Sequence, residues 1–407
     1  MFRRQVGRPF ALLEANVIDV ATGEVMEGAH IVVRGDRIES VGYDDPPEDA
    51  ELIDARDLWV IPGLLDLHAH VIPKSPLYPM ALSAEETMVK LVQHGVTAIR
   101  CLPLTSEHAH EWRAKITLGR IVGPAMVISS PVFEREPQRT SFGFGDAQTA
   151  SEWVRREALN GSRWIKVYNA MDPESLKAIV DTAHEFGMRV CGHTEEVPPF
   201  EASEIGMDCV EHMVSIPLSC MRDVEPPPGM DLLARTAWRW ENYDEAQGLR
   251  LMETFKKNRT AWVPTLVVTE RIITIKGHDG SSQTDESVLT SLREALTKSA
   301  RLAVHLHRIG GRVGLGTDFP IDGVLPGVSV HRELELLVEA GGATPLEALQ
   351  IATRSSAEIL GLQSLLGSIQ KGSLAHLVLL DQNPLQNISN TQTITQVIHD
   401  GHLLQKR

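Results

Sequence analysis

The sequence predicts an α/β protein: a (β/α)8 TIM barrel carrying a small β-sandwich domain formed by both chain termini. Three observations predict it. Short apolar runs alternate with helical stretches through the middle of the chain, both ends read as clusters of short strands, and chemically active side chains recur at the carboxyl ends of the runs. The expected division gives 1–59 and 369–407 to the sandwich and 60–368 to the barrel.

At the amino end, Ala11 to Val20, Ala29 to Val33, Arg37 to Val41 and Leu52 to Ala55 are separated by turns such as Gly35-Asp36. Leu374 to Leu380, Gln392 to His399 and Gly401 to Leu404 repeat the style at the other end, so the termini are expected to share one sandwich. Between them lie eight runs: Leu64 to Val71, Val96 to Leu102, Ala125 to Ser129, Trp164 to Tyr168, Arg189 to His193, Cys209 to Met213, Ala261 to Leu266 and Val313 to Thr317. That is the number a (β/α)8 barrel requires. Helix starts support the alternation: Asp172-Pro173-Glu174 supplies a cap and a first-turn proline, and Thr344-Pro345-Leu346-Glu347 a capping box closed by Gly361. Two connections, 215–242 and 276–286, exceed what a barrel needs and are candidate lids or surface insertions.

A chain of 407 residues suits one barrel with an accessory domain. Its formal charge of −15 and lack of a Lys/Arg-rich run argue against a nucleic-acid partner. No apolar segment reaches the roughly 18 residues of a membrane span. The basic opening Met1-Phe2-Arg3-Arg4 leads into no apolar core with a cleavage site. Cys101, Cys191, Cys209 and Cys220 are scattered without CxxC spacing and read as buried thiols in a reducing compartment. A soluble, cytoplasmic protein with a small-molecule substrate is the expectation.

Three His-x-His pairs occur, but only one is fit to chelate. His108/His110 and His305/His307 fall in helical patterns, where residues two apart point about 200° apart. His68 and His70 fall in a strand, which points residues i and i+2 to the same side. Further runs end in Lys166-Val167-Tyr168, Gly192-His193, Glu211-His212 and Thr317-Asp318, at the end where barrel enzymes keep their catalytic groups. Gathered in one layer, such groups need a shared partner, because buried charges are paired or hold metal. Tyr168, two residues beyond Lys166, is a candidate oxyanion donor. His331 after the eighth run and Arg139 after the third are candidate substrate contacts.

These residues resemble the amidohydrolase superfamily, in its imidazolonepropionase-like and prolidase-like branch. The motifs are Val60-Ile61-Pro62-Gly63, the HxH strand, Ile165-Lys166-Val167-Tyr168, Ala183-His184-Glu185-Phe186-Gly187, the strand ends at His193 and His212, and Gly316-Thr317-Asp318. Pro326 to Gly342, Pro345-Leu346-Glu347-Ala348-Leu349 and Gly367-Ser368-Ile369 to Pro384-Leu385 extend the likeness along nearly the whole chain.

The resemblance implies two divalent metal ions, usually zinc, with manganese or cobalt also suited to such ligands. It assigns His68, His70 and Asp318 to the more buried ion, and His193 and His212 to the more exposed one. Lys166 would bridge both after reacting with CO2 to form a carbamate; the alternative is a strand-end lysine paired to Asp318. The implied reaction is hydrolysis of an amide C–N bond by a metal-bridging hydroxide, with Asp318 carrying the proton to the leaving nitrogen. Dipeptides or N-acyl amino acids are the leading substrates, and the family implies a homo-oligomer. Alternatives are a cyclic amide or imidazolone, a lactone or organophosphate, or a metal-free scaffold with no activity.

Two departures stand out. Where many prolidase-like members carry an aromatic residue close after the fifth-strand histidine, this chain has Thr194-Glu195-Glu196-Val197-Pro198-Pro199. Where the family usually has Asp in the returning strand, it has His376, for which a structural effect is expected.

Overall fold

The computed structural model describes residues 9–72, 82–103, 106–134, 142–169, 171–221, 224, 226–278, 285–321 and 323–404. One sheet takes strands from both ends of the chain: β1 (Phe10–Ile18), β2 (Val25–Arg34), β3 (Arg37–Gly42), β4 (Glu51–Asp54) and β5 (Trp59–Pro62). The second sheet follows with β6 (Leu64–Ala69), β7 (Val96–Cys101), β8 (Ala125–Glu134), β9 (Phe142–Gly143), β10 (Trp164–Val167), β11 (Arg189–Gly192), β12 (Cys209–Glu211), β13 (Ala261–Val263) and β14 (Arg312–Val313). Then β15 (Leu377–Leu380), β16 (Ile394–His399) and β17 (His402–Leu404) return to the first.

The terminal sheet runs β17-β16-β15-β5-β1-β2-β3, with β4 beside β1, and most neighbours are antiparallel. Its seam is β5, which sequence reading did not separate from the barrel approach. β5 pairs with β15 on one side, Val60 opposite Leu379, and with β1 on the other. Leu12, Ile31, Val60, Leu377, Leu379 and Ile398 fill one core beneath it. Gly63 then passes the chain into β6, and no side chain fits there: a Cβ would sit 2.0 Å from Thr97 Oγ1.

In the second sheet eight parallel strands follow sequence order, β6-β7-β8-β10-β11-β12-β13-β14, with the short β9 beside β8. Every residue of β6, β7 and β10 is buried, which is why these runs read as nearly continuous apolar sequence. The segment after β14 lies against β6. Leu67 N bonds Leu315 O at 2.8 Å, Asp318 N bonds His68 O at 2.7 Å, and His70 N bonds Phe319 O at 3.0 Å.

The helices between strands start where their caps predict. Ser83 and Thr344 form capping boxes for Ala84–Gln93 and Pro345–Gln350, and Asp172 caps Pro173–Glu185. The histidine pairs 108/110 and 305/307 lie in the helices Ser106–Thr117 and Glu286–Arg308. The connection 215–242 contains a 3-10 turn, Ile216–Ser219, and a helix, Leu232–Glu241. That helix is tied to Glu286–Arg308 by Lys298 Nζ on Trp240 O at 3.1 Å. Residues 279–284 of the other long connection lie outside the described residues. All four cysteines are free and buried, and no helix among the described residues is long and apolar enough to cross a membrane.

Candidate metal centre

The strand ends converge. His68 and His70 direct their Nε2 atoms to the same oxygen, Asp318 Oδ1, at 3.3 and 3.0 Å. The ligand atoms of His68, His70 and Asp318 all lie within 4.8 Å of one another. The His212 ring centroid is 4.5 Å from that of His68 and 4.6 Å from that of His193, and Tyr168 packs on His193 at 4.1 Å. Five of the six sequence-derived metal ligands are thus in one cluster of contacts. The sixth, Lys166, is 2% exposed at the end of β10, and its Nζ finds no hydrogen-bond partner among the described residues. That finding tells against a simple pairing of Lys166 with Asp318.

The Nδ1 atom of each imidazole has a partner of its own. His68 Nδ1 donates to Glu211 Oε2 at 2.7 Å, His70 Nδ1 to the Leu102 carbonyl at 2.7 Å, and His193 Nδ1 to Asn169 Oδ1 at 3.1 Å. His212 Nδ1 is 2.8 Å from Thr265 Oγ1. A carboxylate and a backbone carbonyl can only accept, so the protons of His68 and His70 are on Nδ1, and Nε2 keeps its lone pair. Two lone pairs aimed at one carboxylate oxygen repel unless a cation stands among them. Burial first, and the Lys166 charge second, hold the His68 and His193 values well below the ordinary one, while burial takes His212 to about 4. Neutral imidazoles are what a metal needs. Burial alone would raise Asp318, but its contact with His70 and the nearby His212 and Lys166 bring it below the usual carboxylate value, so it is ionised at neutral pH. The donor set therefore fits divalent metal, and an orphaned buried ammonium fits conversion to a carbamate.

Behind the ligands is a buried ion pair that sequence reading missed. Arg100 donates from Nη2 to Glu211 Oε1 and from Nε to the Leu67 carbonyl at 2.7 Å, and its guanidinium stacks on Trp164 at 4.6 Å. Arg100 and Glu211 are both completely buried. Glu211 thus fixes His68 while Arg100 fixes Glu211, the arrangement by which outer carboxylates orient metal-ligating histidines. Asp66 joins β6 to the segment after β14, accepting from His68 N and Thr317 N at 3.1 Å and from Thr317 Oγ1 at 2.6 Å. Burial pushes its carboxyl up to about 7. The signal was available: each is a charge inside an otherwise apolar, buried run, and such a charge demands a partner.

The backbone is strained at the same place. His212, Thr265 and Asp318 have φ of 62°, 49° and 59°, a left-handed conformation that costs non-glycine residues about 1–2 kcal/mol each. Gly192 and Gly316 are required by close approach. A Cβ on Gly192 would be 2.0 Å from Val167 O, and one on Gly316 would be 2.8 Å from His68 Cβ.

His331 is corrected: it is buried in the helix Val328–Glu339, with Nδ1 2.9 Å from Thr391 Oγ1 and Nε2 donating to the His94 carbonyl at 3.1 Å. Both nitrogens are engaged in packing contacts, which leaves none for a substrate. Arg139 lies outside the described residues.

The amidohydrolase family model matches residues 59–404, and the chain belongs to that family. A solved structure of a putative prolidase from Bifidobacterium longum is 26% identical with a TM-score of 0.79, covering 99% of this chain and 97% of that one. Ochratoxinase from Aspergillus niger is 31% identical over 148 residues, 36% of this chain and 29% of its own length. Dihydroorotase from Syntrophotalea carbinolica is 33% identical over 94 residues, 21% of this chain and 22% of its own. The chain spans less than a third of the length of these two curated relatives.

Proposed function

We propose that this chain is a metal-dependent hydrolase that cleaves an amide C–N bond, with dipeptides or N-acyl amino acids as its substrate class. The observation that carries the reading is the convergence of His68, His70 and His212 on the ionised Asp318, with His193 packed on His212 and a buried lysine whose Nζ has no hydrogen-bond partner among the described residues. His68, His70 and Asp318 would hold one ion, His193 and His212 a second, and Lys166 as its carbamate would bridge them. Zinc is the expected metal. The backbone bonds from β6 to residues 315–319 support closure of the parallel sheet as a (β/α)8 barrel. We place the chain from β6 to residue 368 in that barrel and the segments through β5, with 369–407, in the accessory sandwich, moving residues 60–62 out of the 60–368 expected from the sequence because they pair with β15, and expect a homo-oligomer.

Bound there, divalent ions would acidify a water and polarise the substrate carbonyl. Asp318, ionised and fixed by the His68 and His70 contacts, takes the proton of the attacking water and delivers it to the leaving nitrogen. Tyr168, packed on His193, donates to the oxygen that gains charge. Similarity to a putative prolidase and to ochratoxinase supports amide cleavage. Similarity to a dihydroorotase keeps a cyclic amide as the second reading.

The test is cleavage of a pooled library of dipeptides and N-acyl amino acids, read by mass spectrometry, with Asp318→Asn as the control. Removal of the proton carrier is expected to slow hydrolysis by about 10²–10⁴-fold. Full activity in the variant would refute the role of Asp318, and a silent library with metal bound would refute the substrate class.

A further inference from the structure

A second set of ligand-type side chains lies away from the centre described above. β15 is entered through His376, β16 ends at His399, and Asp400 and Gly401 turn the chain into β17. His376 and His399 stack with centroids 4.4 Å apart and are 4% and 6% exposed. His376 Nε2 is 2.9 Å from Asp400 Oδ1, and His399 Nδ1 is 3.6 Å from Asp400 Oδ2. His399 Nε2 is 3.1 Å from the carbonyl of Thr97, near the start of β7. The group therefore sits toward the amino ends of the parallel strands, opposite the His/Lys/Asp cluster.

The protonation pattern at His399 is set by that last contact. A backbone carbonyl only accepts, so Nε2 carries the hydrogen and Nδ1 presents a lone pair toward the Asp400 carboxylate. A lone pair facing a carboxylate at 3.6 Å is repulsive unless a cation lies between them. His376 Nε2 donates to Asp400 Oδ1, but its Nδ1, without a hydrogen-bond partner among the described residues, can take up the ring hydrogen and leave the Nε2 lone pair to a metal. Zinc–nitrogen and zinc–oxygen bonds of about 2.0–2.1 Å in a tetrahedron set ligand atoms roughly 3.3 Å apart. The observed 2.9 and 3.6 Å bracket that spacing, and the ligand atoms of all three residues lie within 4.8 Å of one another. The 36% exposure of the Asp400 side chain supplies an entry path and room for solvent to complete the coordination.

We propose that His376, His399 and Asp400 form a second, non-catalytic site for a divalent transition-metal ion, best matched to zinc, which pins the turn between β16 and β17 to the entrance of β15. Two imidazoles and one carboxylate are a ligand set that zinc accepts, and they come from two segments that unfolding would separate, the entrance to β15 and the adjacent pair His399-Asp400. Metal binding here therefore adds to stability and leaves hydrolysis alone.

The test is equilibrium dialysis of the full chain against zinc, with metal counted by plasma mass spectrometry, alongside Asp400→Asn and His376→Gln. Each variant is expected to hold one equivalent fewer than the unaltered chain and to show a smaller zinc-dependent rise in melting temperature. Equal counts in all three chains would overturn the proposal. Loss of the barrel-end metals would lower every count together and leave the difference intact, so the two failures are distinguishable. If His376→Gln does not fold by circular dichroism, the partly exposed Asp400→Asn carries the test. In crystals soaked with zinc, an anomalous peak between His376 and Asp400 would support the site. Peaks confined to the barrel-end centre would overturn it.

Discussion

Glu211→Gln tests whether the buried ion pair is what prepares His68 for metal. Glu211 accepts from Arg100 through one oxygen and from His68 Nδ1 through the other, in a site without solvent. A glutamine cannot do both. With its carbonyl toward Arg100, its amide must donate to His68 Nδ1, which forces the imidazole proton onto Nε2, the atom facing Asp318. With its carbonyl toward His68, its amide faces the guanidinium, donor against donor. Either way Arg100 becomes a buried cation without a counter-charge, a loss of about 3–5 kcal/mol in unfolding free energy. Displacing the orienting carboxylate should also weaken metal binding by about 10–100-fold. Urea unfolding of the metal-free protein reads the first effect. Competition with a chromophoric chelator, in the Asp400→Asn background so that only the barrel-end site reports, reads the second. The double variant Arg100→Met/Glu211→Leu separates them: removing both charges should restore most of the stability, but not the affinity, because His68 still lacks its acceptor. A Glu211→Gln protein within about 1 kcal/mol of the unaltered stability and with unchanged zinc affinity would refute this reasoning.

Three further outcomes follow from the same geometry. Gly316→Ala places a methyl 2.4 Å from Val263 Cγ1 and 2.8 Å from His68 Cβ; it should cost about 1–3 kcal/mol in urea unfolding and lower metal occupancy, whereas Gly310→Ala, with open space around its Cβ, should leave occupancy unchanged. His184→Gln should flatten part of the pH dependence of stability. The hydrogen bond to Asp208 raises the His184 value above 6.5, so its contribution is complete below that pH and is lost as pH rises through the folded value. Because His184 is 44% exposed, solvent screening keeps the contribution to about 0.2–1 kcal/mol, read from urea midpoints between pH 5 and pH 8; an identical slope in the variant would exclude it. Gly192→Ala, driven against the Val167 carbonyl, should abolish stable folding or metal loading, and a soluble variant with full metal content would contradict the account of that close approach.

The parts of the site that could be read from sequence are those whose spacing alone carries geometry. His68 and His70 were distinguishable from the helical pairs because a strand aligns residues two apart, and their Nε2 atoms do meet one oxygen. Lys166, His193, His212 and Asp318 were singled out because a buried parallel strand has one end open to ligand, and the apolar runs marked those ends. What spacing does not carry is pairing between distant segments. Arg100 and Glu211 are 111 residues apart, and only the parallel sheet brings them together. His331 illustrates the opposite error: its place after the eighth run suggested the site, but the helix Val328–Glu339 turns it toward Thr391 and the His94 carbonyl. The terminal sheet was legible as strands, but not its seam, since β5 reads as a continuation of the β6 run until its pairing with β15 is seen. His376 was noted only as a departure. Its stacking on His399 and contact with Asp400 depend on the turn at Asp400-Gly401, which sequence periodicity does not describe.

The most direct test of the central claim is the zinc content of the Asp400→Asn chain with and without Lys166→Ala. A centre bridged by Lys166 predicts two equivalents in the first and at most one in the second. Two equivalents in both chains would contradict a bridging role for Lys166, and none in either would contradict the metal centre itself.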